Sequence, residues 1–323
     1  MVKLADIACA AKVSKAAVSY AFSDDPAKRG KLSPCTLERI LKIAAELDYS
    51  PSWRARAFAK QKSYNIALLM PERSACGMSR HYLGIFHGVS SAVGESDYNL
   101  SVFFGCGDKF LRNIQQGRID GVLALARRDD AEIFQEMAQW ELPLVFLNRI
   151  APAICMNAGS CSSDYESWLT EILQKYRARK LKKCILYYRE ARDSDHKICN
   201  IFCKLCSDYG LEYELLKRDE FCSITGNTNE CGFIFCGSSP KIITGLACRS
   251  DVEYTVMVSP EIDWRCDLKQ ENLYYHDSNA IGINGVQMLL DMIDNHAEAI
   301  HKMLPLIQKN IDSDLSEKND FEF

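Results

Sequence analysis

The chain opens on short stretches in which apolar residues recur with a helical period. Leu4, Ile7, Ala8 and Ala11 fall at i, i+3, i+4 and i+7 and line one helix face. Val13-Ser14 breaks that pattern, and the Ser14 hydroxyl suits the N-cap of a second helix. This second helix buries Ala17, Val18 and Ala21 and presents Lys15, Ala16, Ser19 and Tyr20 outward. Small residues at Ala8, Ala11 and Ala17 let the two helices cross closely, as a helix-turn-helix requires. Ser33 and Pro34 start a third helix, whose Leu37, Ile40, Leu41, Ala44 and Leu47 form the apolar stripe that closes a small core. In such a motif the second helix lies in the major groove of DNA, its first residues reaching base edges.

Ser52 then caps a short helix, Trp53 to Ala59, which carries Arg54 and Arg56. A helix this short does not hold alone in water. Ala55 and Phe58 sit three apart on one face, one small and one a large apolar wedge. That pair suits a hinge that folds in the minor groove and levers a base step open. The alternative is a flexible linker whose Phe58 packs on the rest of the chain.

From residue 63 the pattern changes to apolar runs alternating with helical stretches, the signature of parallel βα units. Strands are predicted at Asn65–Met70, Leu100–Phe104, Gly121–Ala126, Leu144–Leu147, Lys183–Tyr188, Glu212–Leu216, Gly232–Phe235 and Tyr254–Val258. Helices are predicted at Leu83–Ser96, Ala131–Gln139, Ser163–Arg179 and Ser194–Tyr209. The end, Ile311–Phe323, mixes charged residues with Ser and Asn and reads as a disordered tail without leucine heptads.

Charge separates the two parts. Residues 1–62 hold 12 Lys and Arg against 6 Asp and Glu, a net +6, whereas the whole chain carries −4. A basic head on an acidic body is the distribution expected when only the head meets phosphates. No apolar leader precedes the first helix, and no run approaches the roughly 18 apolar residues of a membrane span. The expected location is the cytoplasm, where thiols stay reduced.

The 15 cysteines therefore read mainly as small buried hydrophobes, with Cys9 and Cys35 as packing or surface residues. Cys199, Cys203 and Cys206 share a helix face that Cys184 or Cys236 can approach, a metal or redox alternative without zinc-finger spacing. No metal or other cofactor is expected. Hydrolase, phosphate-loop and zinc-protease motifs are absent, and Gly105-Cys-Gly107 lacks the third glycine of a dinucleotide site, so the chain is not expected to be an enzyme.

Asp6-Ile-Ala8, Val13-Ser14, Val18-Ser19, Glu46-Leu47-Asp48-Tyr49, Pro51 and Ala55…Phe58 together resemble the DNA-binding head and hinge of the lactose/purine-repressor (LacI/GalR) family. The resemblance implies that Lys15, Ala16 and Tyr20 read bases, Lys15 donating to guanine and Ala16 touching a thymine methyl. Ser14 and Ser19 would hold phosphates. Departures stand at Lys3, where the family has a capping Thr, at Lys12, where it has Gly or Asn, and at Ala17. Phe58 replaces the usual Leu wedge, and the loop Ser23–Leu32 is longer and more basic.

Asp120–Leu123, Leu142–Arg149, Gly88 with Tyr98, and Gly285–Ile293 resemble the same family's effector-binding core, which has the type I periplasmic-binding-protein fold. The resemblance loosens after Arg149. It implies a small-molecule effector, a sugar being the class suggested, held between two lobes. The implied pocket residues are Tyr82, Asn148, Arg149, Lys197, Glu261 and Trp264, each with an ordinary packing or surface role as the alternative. Lys197 stands where the family has a gripping Arg, which turns a fork-shaped donor into a point charge.

The expected architecture is α + α/β: a helix-turn-helix head (1–49), a hinge helix and linker (50–62), a two-lobed α/β core (63–310) and a tail (311–323). The expected function is a repressor that binds a pseudo-palindromic double-stranded DNA operator as a homodimer, without membrane contact, modulated from the cleft. The alternatives are a ligand sensor with a vestigial head, and a regulator that has lost small-molecule control.

Overall fold

The computed structural model describes residues 2–23, 25–49, 57, 60–71, 80–125, 131–139, 142–155, 157–188, 193–217, 228–236, 252–257 and 272–308. The chain divides into two compact units, Met1–Ser63 and Tyr64–Phe323. Among the described residues, no helix is long and apolar enough to cross a membrane.

The first unit is built on α1 (Leu4–Ala10), α2 (Lys15–Ala21), α3 (Pro26–Arg29) and α4 (Pro34–Glu46). Ile7, Ala8, Ala11, Val18, Ala21, Ile40 and Ala44 form its buried core. Three of the five residues of the expected stripe, Leu37, Ile40 and Ala44, pack inward. Leu41 and Leu47 are exposed, and Ile43 packs inward together with Leu37. The reason is the turn after α4, which brings Tyr49 back onto Phe22 with ring centres 5.3 Å apart and closes the core there instead. Lys3 does not leave α1 uncapped, because the Asp6 carboxylate reaches back to accept the Lys3 backbone N–H at 2.8 Å.

The second unit contains two six-stranded sheets. The first, in the order β11-β5-β4-β3-β1-β2, is parallel throughout and uses β1 (Asn65–Met70), β2 (Asn99–Phe104), β3 (Gly121–Ala124), β4 (Leu144–Leu147), β5 (Gly159–Ser163) and β11 (His301–Leu304). The second, in the order β12-β10-β9-β8-β6-β7, uses β6 (Lys183–Tyr188), β7 (Glu212–Lys217), β8 (Cys231–Cys236), β9 (Glu253–Met257), β10 (Leu273–Tyr275) and β12 (Ile307–Gln308), with β12 antiparallel. Among the described residues the chain passes between the sheets three times: from β5 to β6, from β10 to β11, and from β11 to β12.

Helices α5 (Arg80–Gly94), α6 (Asp108–Gln115), α7 (Ala131–Gln139) and α10 (Ser278–Asn295) accompany the first sheet, and α8 (Tyr165–Ala178) and α9 (Asp193–Tyr209) the second. Helices α5 and α10 approach very closely, since a Cβ on Gly282 would lie 2.3 Å from the Ile85 carbonyl oxygen. On the second sheet, the ring of Tyr176 occupies the space a Cβ on Gly232 would need. Its hydroxyl donates to the Phe233 carbonyl at 2.8 Å. Cys184, Cys199, Cys206 and Cys236 lie inside this apolar core, with Cys203 packed against it, whereas Cys9 and Cys35 are exposed. The described residues contain no cluster of three or more groups suited to a metal.

Candidate nucleic-acid interface

The candidate interface starts from the cap of α2. Ser14 has extended backbone, and its hydroxyl accepts the Ala17 N–H at 3.1 Å, which satisfies one of the unpaired donors of the first turn. An oxygen used as an acceptor keeps its own O–H for another partner. Lys12, in the turn before it, has φ 51°, the left-handed conformation that favours Gly or Asn. Val18 and Ala21 anchor α2 to the core and Ala17 is half-buried. Ser14, Lys15, Ala16 and Ser19 are exposed together, as the helical spacing predicts.

Tyr20 departs from its expected outward position. It is half-buried, and the Lys31 ammonium lies over its ring 5.4 Å from the centre. Sequence reading missed this partner. The only signal was the extra basic length of the loop after α2, which holds the one-turn helix α3. Arg54, Ala55, Arg56 and Phe58 lie outside the described residues. Between and beyond them, Ala57 and Lys60 are helical, and the Lys62 N–H donates to the Ala57 carbonyl at 3.1 Å.

In the second unit, the described residues among those predicted for the pocket, Tyr82, Asn148, Arg149 and Lys197, lie at or near element ends. Asn148 directly follows β4 with φ 60°, its N–H bonded to the Cys161 carbonyl at 2.8 Å. Its side-chain oxygen is buried and has no hydrogen-bond partner among the described residues. Lys197 sits near the start of α9, where burial lowers its pKa while Asp164 and Glu166 oppose that shift. Arg149 lies with its guanidinium 5.9 Å from the Phe134 ring centre and 5.6 Å from that of Phe146, a packing position inside one lobe. Tyr82 stacks obliquely on the neighbouring His81 ring. Glu261 and Trp264 lie outside the described residues.

A histidine pair escaped the sequence reading. His81 Nδ1 is 2.6 Å from the Ser278 hydroxyl, and its ring centre is 5.0 Å from that of His276. His276 Nδ1 in turn is 2.7 Å from the Ser163 hydroxyl. These contacts join α5, the start of α10 and the end of β5, where the chain passes between sheets. No short-range spacing could have revealed them, because the bonded partners are 197 and 113 positions apart.

Residues 3–52 match the model of the bacterial regulatory proteins, lacI family. The chain is 32% identical over 151 residues to the probable HTH-type transcriptional repressor ExuR of Bacillus subtilis (strain 168), a match covering 46% of this chain and 44% of that protein. It is 29% identical over 171 residues to the ribose operon repressor of the same organism, covering 51% of this chain and 47% of that one. The chain thus matches about half the length of these curated relatives. Its fold is similar to that of the lac repressor dimer bound to operator and the anti-inducer ONPF. The TM-score is 0.59 at 16% identity, over 94% of this chain and 96% of that one.

Proposed function

We propose, from the match of residues 3–52 to the model of the bacterial regulatory proteins, lacI family, that this chain is a cytoplasmic transcriptional repressor binding a pseudo-palindromic DNA operator as a homodimer. The observation that carries the reading is the capped helix α2, anchored by Val18 and Ala21, with Ser14, Lys15, Ala16 and Ser19 exposed along it. In this reading Lys15 donates to guanine, Ala16 meets a thymine methyl and Tyr20 reads a further base. Ser14 and Ser19 bind phosphates, while Arg54, Ala55, Arg56 and Phe58 serve the minor groove. Leu83 and Phe86 on α5 and Ile283 on α10 are exposed apolar residues that a second copy would cover.

The effector is a small molecule bound between the lobes. A sugar is supported by the relative named for the ribose operon and by the buried Asn148 oxygen, which a ligand hydroxyl would satisfy. Tyr82, Lys197, Glu261 and Trp264 complete the proposed pocket. Effector binding changes the arrangement of the lobes and, through the hinge, the affinity for DNA. A second reading, a regulator without small-molecule control, is favoured by Arg149, whose guanidinium lies over two core rings of its own lobe.

A salt series on an operator-length duplex tests the reading. The logarithm of affinity is expected to fall steeply and linearly with the logarithm of salt concentration. A flat series would mean that the head does not bind DNA.

A further inference from the structure

The turn after α2 is rich in cations. Lys28, Arg29 and Lys31 supply three of the 12 Lys and Arg in residues 1–62, and all three are exposed. The turn is nevertheless well built. The Asp25 carboxylate accepts the Ala27 N–H at 2.8 Å, and Pro26 occupies the first turn of α3. Gly30 closes it where a Cβ would lie 3.2 Å from the Pro26 carbonyl oxygen.

Two of the three cations are fastened to α2. Arg29 Nε donates to the Ala21 carbonyl at 3.4 Å, at the helix end whose carbonyls lack intrahelical partners and whose dipole favours a cation. That bond uses one of the five donors of the guanidinium. Lys31 Nζ lies over the Tyr20 ring, a geometry in which the ammonium is held by the ring face. The cations are therefore carried on the same body as the base-reading helix, beside its last turn.

We propose that the basic turn Lys28–Lys31 is a second DNA-contacting element, one that neutralises backbone phosphates flanking α2 and whose Lys31 orients Tyr20 toward its base. The inference rests on the reading of α2 as a recognition helix. Phosphates are the partners because the turn presents exposed cations, two of them fastened to α2, beside the helix read as entering the major groove. Lys31 acts on specificity through Tyr20 and is a positioning residue, while Lys28 contributes charge alone.

The test uses the full-length chain and two probes: a random-sequence duplex pool, and a duplex of about 30 base pairs selected by the wild-type protein, long enough for two half-sites. Lys28→Ala should make the slope of log affinity against log salt shallower by about 0.9 for each phosphate it no longer neutralises, with base preferences unchanged. Lys31→Ala should reduce the slope similarly and also relax preference at the base pair that Tyr20→Ala relaxes. Lys31→Arg should retain both properties, and circular dichroism should show all variants folded. Wild-type slope in Lys28→Ala and Lys31→Ala, or unchanged base preference in Lys31→Ala, overturns the inference. A wild-type chain without salt-dependent binding overturns instead the recognition-helix reading on which it rests.

Discussion

Replacing Ser14 with Asp separates two roles that this side chain is given. As a cap, Ser14 accepts the Ala17 N–H at 3.1 Å, and Asp caps as well as Ser. The added carboxylate sits at the positive end of α2, which favours an anion by about 0.3–1 kcal/mol. Head stability should therefore hold or rise, and exchange of the Ala17 amide should stay slow. Ser14→Ala, by contrast, loses a cap worth about 1 kcal/mol and should speed that exchange about fivefold. On DNA the same carboxylate faces the phosphate that Ser14 is proposed to meet. Two like charges about 4 Å apart repel by about 1 kcal/mol in water and about 4 kcal/mol near a protein surface. Affinity for a short duplex should fall between about fivefold and a thousandfold, most at low salt. Hydrogen exchange and fluorescence anisotropy read the two effects separately. Wild-type DNA affinity in Ser14→Asp would remove Ser14 from the phosphate contacts, and rapid Ala17 exchange would refute its role as the cap.

Three further expectations concern stability. Gly88→Ala places a Cβ 2.1 Å from the Asn279 carbonyl oxygen, backbone against backbone, and should cost about 1–3 kcal/mol, seen by calorimetry as a lower melting temperature of the second unit. Lys12→Gly relieves a left-handed residue at φ 51° and should stabilise the head by about 1 kcal/mol in a denaturant titration. Cys161 is held by burial at a pKa of about 11, above the ordinary thiol value of 9.0, with Lys302 opposing the shift. The unfolded chain thus releases this proton first, so the thiol's contribution to stability is complete below pH 9 and is lost as pH rises toward 11. Urea unfolding at pH 8 and pH 10.5 should show a smaller loss in Cys161→Ala than in the wild type.

The head was legible because its information is local. Caps, breaks and helical spacing place α1, α2 and α4 within a few residues of where they form, and each rule acts over one or two turns. The failures there are tertiary: Leu41 and Leu47 had the right spacing, but the return of Tyr49 decides which face is covered. In the second unit, strands rich in Val, Leu, Ile and Phe were readable, whereas β5 was not. Its sequence, Gly-Ser-Cys-Ser-Ser, has almost no strand signal, yet every residue is buried because β4 and β11 flank it. Ser160 and Ser163 tolerate burial by pairing with His301 and His276, each at 2.7 Å. Helix α6 escaped notice because it buries only Phe110 and Ile114, one turn apart. The proposed pocket was the least legible part, since Tyr82, Asn148 and Lys197 lie on separate elements far apart in sequence, where no short-range rule acts.

If this chain reads DNA sequence as a symmetric pair, selection of bound duplexes from a random pool by the full-length protein, followed by sequencing, will show it most directly. The expected result is enrichment of a pseudo-palindrome with two half-sites about one helical turn apart, its preferences altered at single positions by changes at Lys15 or Tyr20. Recovery of no common sequence, or of a single unpaired site indifferent to those two residues, would contradict it.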